Sequence, residues 1–327
     1  MQSNFSVFDI VSPTDFEQTA LQIFRFQSKY NAVYKRFIQL LKVNPEKVRN
    51  LKEIPFIPIQ FFKDYRVVSA PEPYEAVFQS SGTTGMVRSK HYVKSTALYE
   101  ESFTRGFQEF YGDLQDYTIL ALLPSYLEQG NSSLVYMVDK LIRKTGDKHS
   151  GFYLHNHEEL ARQLQNLDTQ GKKVLLIGVS YALLDLAEKY RFQLKNTLVM
   201  ETGGMKGRRK EMLREELHGY LKEAFGVAHI HSEYGMTELL SQAYSQGEGV
   251  FNTPPWMKIL IRDTEDPLTY LPDGKTGGVN IIDLANIYSC SFIATQDLGK
   301  ITSASGSFEI LGRFDNSDVR GCNLLVV

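Results

Sequence analysis

Between Tyr117 and Gly226, short apolar runs alternate with stretches of helical period, and this alternation restricts the chain to few architectures. The runs over 117–123, 174–177 and 197–200 have the length of buried strands. Helical patterns over 132–142, 158–168, 181–189 and about 208–225 separate them. Ser132 or Ser133 can cap the first of these helices, and Gly226 stops the last. Strand and helix in repeated alternation build a mostly parallel sheet covered on both faces. The fold class expected is α/β.

The flanks differ from this middle. Residues 14 to 42 read as helical, with an apolar stripe through Phe16, Ala20, Ile23, Phe24 and Phe26, and Asn44-Pro45 interrupts the pattern. From Phe251 onward, turns such as Pro254-Pro255 and Pro272-Asp273-Gly274 punctuate short strands. The expected division is an α/β core over 1–250 and a smaller β-rich portion over 251–327.

Composition narrows the function classes. A formal net charge of -2 over 327 residues gives no reason to expect nucleic acid or an anionic membrane as partner. Two cysteines, Cys290 and Cys322, argue against a disulfide scaffold and suit a reducing cytoplasm. No signal peptide is visible, and the apolar runs are too short to span a bilayer. A soluble, cytoplasmic protein is expected.

Ser80-Ser81-Gly82-Thr83-Thr84-Gly85, followed by Arg88 and Lys90, is the segment most suited to chemistry. Its two glycines let the backbone approach a ligand closely, and its hydroxyls and amides can donate to phosphate oxygens. The spacing is not that of a Walker loop, because no Gly-Lys-Ser/Thr follows. Alone, the segment reads equally as a polar turn. Further along stand Tyr234-Gly235-Met236-Thr237-Glu238, then Gly312-Arg313-Phe314-Asp315-Asn316 and Arg320-Gly321. In this order the three pieces resemble the nucleotide site of the adenylate-forming enzymes, which join carboxylic acids to AMP.

That resemblance implies ATP and Mg²⁺ as cofactors. It assigns phosphate to the 80–85 loop with Arg88 as its basic residue, the α-phosphate to Thr237, and Mg²⁺ to Glu238. Glu238 reads alternatively as an acidic residue opening a helix. Gly203-Gly204 resembles the loop beside the adenine and also fits a plain strand-to-helix turn. Tyr234 and Gly235 complete the nucleotide wall. Thr295-Gln296-Asp297 resembles the motif whose aspartate binds the ribose hydroxyls, with Arg313 reaching the same sugar. Gln296 stands where the family usually has Gly, and Val87 where it has Pro.

Leu123 to Ser133, with Ile54 to Lys63 and Arg320-Gly321-Cys322, resembles a particular branch, the acyl-protein synthetases of the LuxE type. The likeness runs from about residue 50 onward. It implies an adenylate-forming core lacking the C-terminal lid domain and its lysine. The activity implied is activation of a fatty acid, transfer to Cys322 near the C-terminus, and delivery to a fatty-acid reductase partner. Tyr126, Gln129, Gly130 and Asn131 would then wall the reacting carboxylate; the alternative is a loop leading into a helix. Cys322 also fits the inward face of a final strand. Two other functions stay open: a CoA ligase of the phenylacetate type, and a nucleotide-binding subunit without catalysis. His229 and His231 lack further ligands at metal spacing and read as packing or site-wall residues.

Overall fold

The computed structural model describes residues 5–81, 87–124, 130–203 and 212–313. Thr83, Thr84, Tyr126, Gln129, Gly204 and Cys322, together with Gly82 and Gly85, lie outside them. Among the described residues, twelve strands share one mixed sheet, and two more form a separate hairpin. The parallel part runs Gly151–Phe152, Tyr117–Leu122, Lys173–Val179, Thr197–Thr202 and His231–Tyr234. Each α/β crossover predicted in the sequence is present, with helices Ser133–Thr145, His157–Thr169, Ser180–Lys189 and Arg214–Phe225. All six residues of Tyr117–Leu122 are buried. Each large aliphatic side chain so enclosed contributes on the order of 2 kcal/mol, which explains the near-continuous apolar run.

The sheet continues antiparallel through Ala243–Ser245, Val250–Asn252, Phe308–Arg313, Phe292–Ile301, Gly277–Asp283 and Met257–Arg262. The β-rich residues after 250 therefore extend the same sheet as the parallel strands. Ile57–Pro58 joins it beside Phe292–Ile301. No helix among the described residues is long and apolar enough to cross a membrane.

Local chemistry sets the element ends. Ser132 is the residue that caps Ser133–Thr145, accepting from the Val135 amide, and Gly226 ends Arg214–Phe225 in the left-handed region. One expectation needs correction. The helical stretch expected over 14–42 is two helices, Pro13–Tyr30 and Ala32–Leu40, broken at Asn31. Asn31 leaves the helix because its side chain caps the Tyr34 amide and donates to the Ser289 carbonyl at 3.0 Å. The apolar run at 227–230 is not a strand: pairing begins at His231. Ala76–Gln79 is a strand outside the main sheet, in an antiparallel hairpin with Lys90–Val93.

The N-terminal helix reaches into the centre of the molecule. Gln27 is wholly buried and donates to the carbonyls of Asn286 and Ile287, while its own oxygen accepts from the Ser291 amide. Ser69 donates to the Ser289 carbonyl. The turn from Asp283 to Ser291 is thus held from two sides, and it supports the site described next.

Candidate active site

Parallel register brings several strand ends to one edge of the sheet. Val179 pairs with Thr202, and Thr202 with Glu233, so the segments after Thr202 and Tyr234 leave from the same carboxyl edge. Ligands of open α/β sheets bind at that edge. The separate hairpin carries Ser80 and Ser89 just past the paired ends of its two strands. Its neck is closed by Ser80 N–H to Ser89 O at 3.2 Å and Ser89 N–H to Ser80 Oγ at 3.0 Å. The Gln79 amide donates to the Asn131 carbonyl at 2.8 Å, fixing the turn at Gly130 and Asn131 against the same neck. Arg88 is exposed beside it.

Glu238 is the point where these pieces meet. It is buried and its carboxylate accepts from Ser89, the last residue of the loop neck. Burial pushes the carboxyl above the usual range, while the Ser89 hydrogen bond and the charges of Arg313 and Lys63 pull it back. Thr237 is half-buried at the edge. Its carbonyl and that of Glu238 are held from beneath. His91 Nδ1 lies 2.8 Å from Thr237 O, and Asn286 Nδ2 donates to Glu238 O at 2.8 Å. Asp283 accepts from the amides of Leu240 and Ser241 and from the Ser241 hydroxyl.

Asp297 approaches from the antiparallel half. The Tyr234 hydroxyl donates to its Oδ2 at 2.7 Å, and Arg313, opposite it in strand register, places Nε 3.4 Å from Oδ1. Burial raises the Asp297 carboxyl, against the pull of Tyr234, Arg313 and Arg262. A carboxylate accepts about four hydrogen bonds, so Tyr234 and Arg313 leave room for the two hydroxyls of a sugar diol. Arg313 pairs with Asp297 and its charge also acts on Glu238, so the two carboxylates share one positive partner. Gly203, with φ 56°, turns the chain at the end of Thr197–Thr202. A side chain at Gly235 would meet Glu233 Oε1 at 2.5 Å, and Thr202 holds that carboxylate in place.

Among the described residues, no three His, Cys, Asp or Glu side chains converge on one point. A single carboxylate with phosphate and water completing the shell is the usual arrangement for Mg²⁺, and Glu238 would supply that carboxylate.

Residues 13–327 match the family described as acyl-protein synthetase, LuxE. The chain belongs to the LuxE family. Solved structures share the fold of this LuxE-family protein. ATP-bound MatB from Rhodopseudomonas palustris aligns with a TM-score of 0.56 at 17% identity, covering 73% of this chain and 48% of that one. A 2-hydroxyisobutyryl-CoA ligase, in an open conformation with 2-HIB-AMP and CoA, gives 0.64 at 14% identity, covering 93% and 70%. The same ligase in its postadenylation state with R3-HIB-AMP gives 0.65 at 13%, covering 97% and 72%. The LuxE-family chain spans about half the length of the MatB chain. Comparison with curated protein sequences returned no match.

Sequence reading passed over four residues that organise this LuxE-family site: Ser89, His91, Asp283 and Asn286. His91 and Asn286 act on backbone carbonyls and on each other, Asp283 on the amides of Leu240 and Ser241 and the Ser241 hydroxyl, and Ser89 on the Glu238 carboxylate; such contacts leave no motif. Their signal is polarity at apolar positions: His91 and Asn286 are 1% and 0% exposed. His229 precedes its strand and is exposed, so it does not pack, whereas His231 is half-buried against Tyr111.

Proposed function

We propose that this protein activates a fatty acid with ATP and Mg²⁺ to form acyl-AMP, then passes the acyl group to the thiol of Cys322. The observation that carries the first half is the meeting of Glu238 with the neck of the Ser80–Gly85 loop, at an edge shared with Asp297 and Tyr234. On this reading Ser80 to Gly85 and Arg88 hold phosphate oxygens, and Thr237 contacts the α-phosphate. Asp297 and Arg313 fix the ribose, and Gly203-Gly204 with Tyr234 and Gly235 flank the base. Tyr126, Gln129, Gly130 and Asn131 wall the acid, consistent with the bond from Gln79 to Asn131.

A carboxylate oxygen of the fatty acid attacks the α-phosphorus and pyrophosphate leaves. Glu238 would hold Mg²⁺, which when bound would neutralise charge on the phosphates. The protein's part is positioning: burial of Glu238 and Asp297 keeps water out and fixes both carboxylates before substrate arrives. In the second half the Cys322 thiolate attacks the acyl carbonyl and AMP leaves, giving a thioester. Arg320, two residues away, would favour that thiolate. A fatty-acid reductase would then take the acyl group from Cys322.

A CoA ligase shares the first half and differs only in the acceptor; a nucleotide-binding subunit would lack both halves. Incubation with labelled fatty acid and ATP separates the three. Hydroxylamine-sensitive label on the polypeptide, lost in Cys322→Ser, supports the proposal. A free thioester formed only with CoA would replace it by the ligase, and no acyl transfer at all by the binding subunit.

A further inference from the structure

Beneath the exposed part of the site lies a clamp made of two buried side chains. His91 sits on Lys90–Val93, the strand that leaves the phosphate-loop hairpin, and Asn286 sits in the turn that the N-terminal helix supports. His91 contacts the Thr237 carbonyl at 2.8 Å through Nδ1 and Asn286 Oδ1 at 3.1 Å through Nε2. Asn286 Nδ2 donates to the carbonyls of Glu238 at 2.8 Å and Cys290 at 3.0 Å. That pair of acceptors fixes the orientation of the Asn286 amide, because flipping it would set oxygen against two carbonyls. Both ring nitrogens of His91 then face acceptors, the Thr237 carbonyl and Asn286 Oδ1, so a neutral ring can donate to only one of them. One strand of the hairpin thus touches Glu238 twice: Ser89 from its side chain, and His91, through Thr237 and Asn286, from its backbone.

We propose that His91 and Asn286 are positioning residues, which tie the backbone of Thr237 and Glu238 to the phosphate-loop hairpin so that the nucleotide phosphates and the metal carboxylate keep one fixed separation. Neither touches substrate. Their function is to make two segments, distant in sequence, move as one body. The consequence is selective: loosening the clamp weakens the hold on Mg-ATP and leaves the fatty-acid side unchanged. The proposal rests on the acyl-adenylate reading above.

The experiment is fatty-acid-dependent exchange of labelled pyrophosphate into ATP, measured for parental protein, His91→Ala, His91→Asn and Asn286→Ala, with thermal unfolding of each. Removing a hydrogen bond of about 1 kcal/mol shifts an equilibrium about fivefold. Each alanine variant should therefore raise the KM for Mg-ATP about fivefold or more, with the KM for fatty acid unchanged. His91→Asn keeps an N–H near the position of Nδ1 and should recover most of the loss, even if its unfolding midpoint matches that of His91→Ala. An unchanged KM for Mg-ATP in folded His91→Ala overturns the clamp while leaving the reaction intact. So does an equal rise in both KM values, or a failure of His91→Asn to recover function. An inactive parental protein overturns the acyl-adenylate reading, and the clamp's role with it. Should both alanine variants fail to fold, His91→Phe decides, since it fills the site and cannot donate: an ATP-specific rise in KM of about fivefold or more supports the clamp, and parental KM values overturn it.

Discussion

The hydroxyl of Tyr234 donates to Oδ2 of Asp297 at 2.7 Å, joining the last parallel strand to a strand 63 residues further along the chain. Both side chains are largely removed from water, and burial raises the pKa of each. The bond therefore steadies an acidic group where solvent cannot.

Tyr234→Phe removes that donor and leaves the aromatic packing against Phe251 and Phe308 in place. Loss of one partner from a buried charged acceptor costs about 1–3 kcal/mol. The KM for ATP in pyrophosphate exchange should rise roughly tenfold, with little change in the KM for fatty acid. A change confined to the acid would take Asp297 away from the nucleotide.

His91 gives the fold an acid-sensitive point. Burial pushes its imidazole down to about 4, against hydrogen bonds to Thr237 and Asn286 that act in the opposite direction. The unfolded chain titrates near 6.5. Between those values the unfolded form binds a proton that the folded form refuses, so stability falls as pH drops from about 6.5 to 4. The full contribution is present above that window and is on the order of 3 kcal/mol. Urea unfolding of parental protein and His91→Asn across this range should show the parental protein losing more stability; parallel curves would contradict it.

Cys290 is wholly buried, and burial pushes its thiol up to about 12. Native protein should leave this thiol unmodified by an aromatic disulfide reagent at neutral pH, and unfolding should expose it. Acyl label on Cys290 of folded protein would remove Cys322 from its proposed role.

The α/β core was legible because strand and helix periods differ and burial enforces them. Tyr117–Leu122 and Lys173–Val179 needed only their apolar runs, and Gly226 its place after a helical pattern. The break at Asn31 was not legible, because its cause is a partner at Ser289, far away in sequence. The placement of Ala76–Gln79 outside the main sheet was equally hidden: an apolar tetrad does not say which edge it will pair with. At the site, Glu238, Tyr234 and Asp297 stood within motifs, and the structure adds their partners, Ser89 for Glu238 and Tyr234 for Asp297. His91 and Asn286 could not, since they address backbone carbonyls that any residue would supply.

The central claim is that Glu238 and the Ser80–Gly85 loop hold one nucleotide for attack by a fatty acid. Exchange of labelled pyrophosphate into ATP tests it most directly, comparing parental protein, Glu238→Gln and Cys322→Ser with and without fatty acid. Glu238→Gln keeps the side chain's shape and removes the charge, so exchange should fall at least about a hundredfold, on the scale of losing one buried charged contact to the reacting phosphates. Cys322→Ser should exchange at the parental rate, and parental exchange should require the acid. Fatty-acid-dependent exchange by Glu238→Gln at the parental rate would contradict the account.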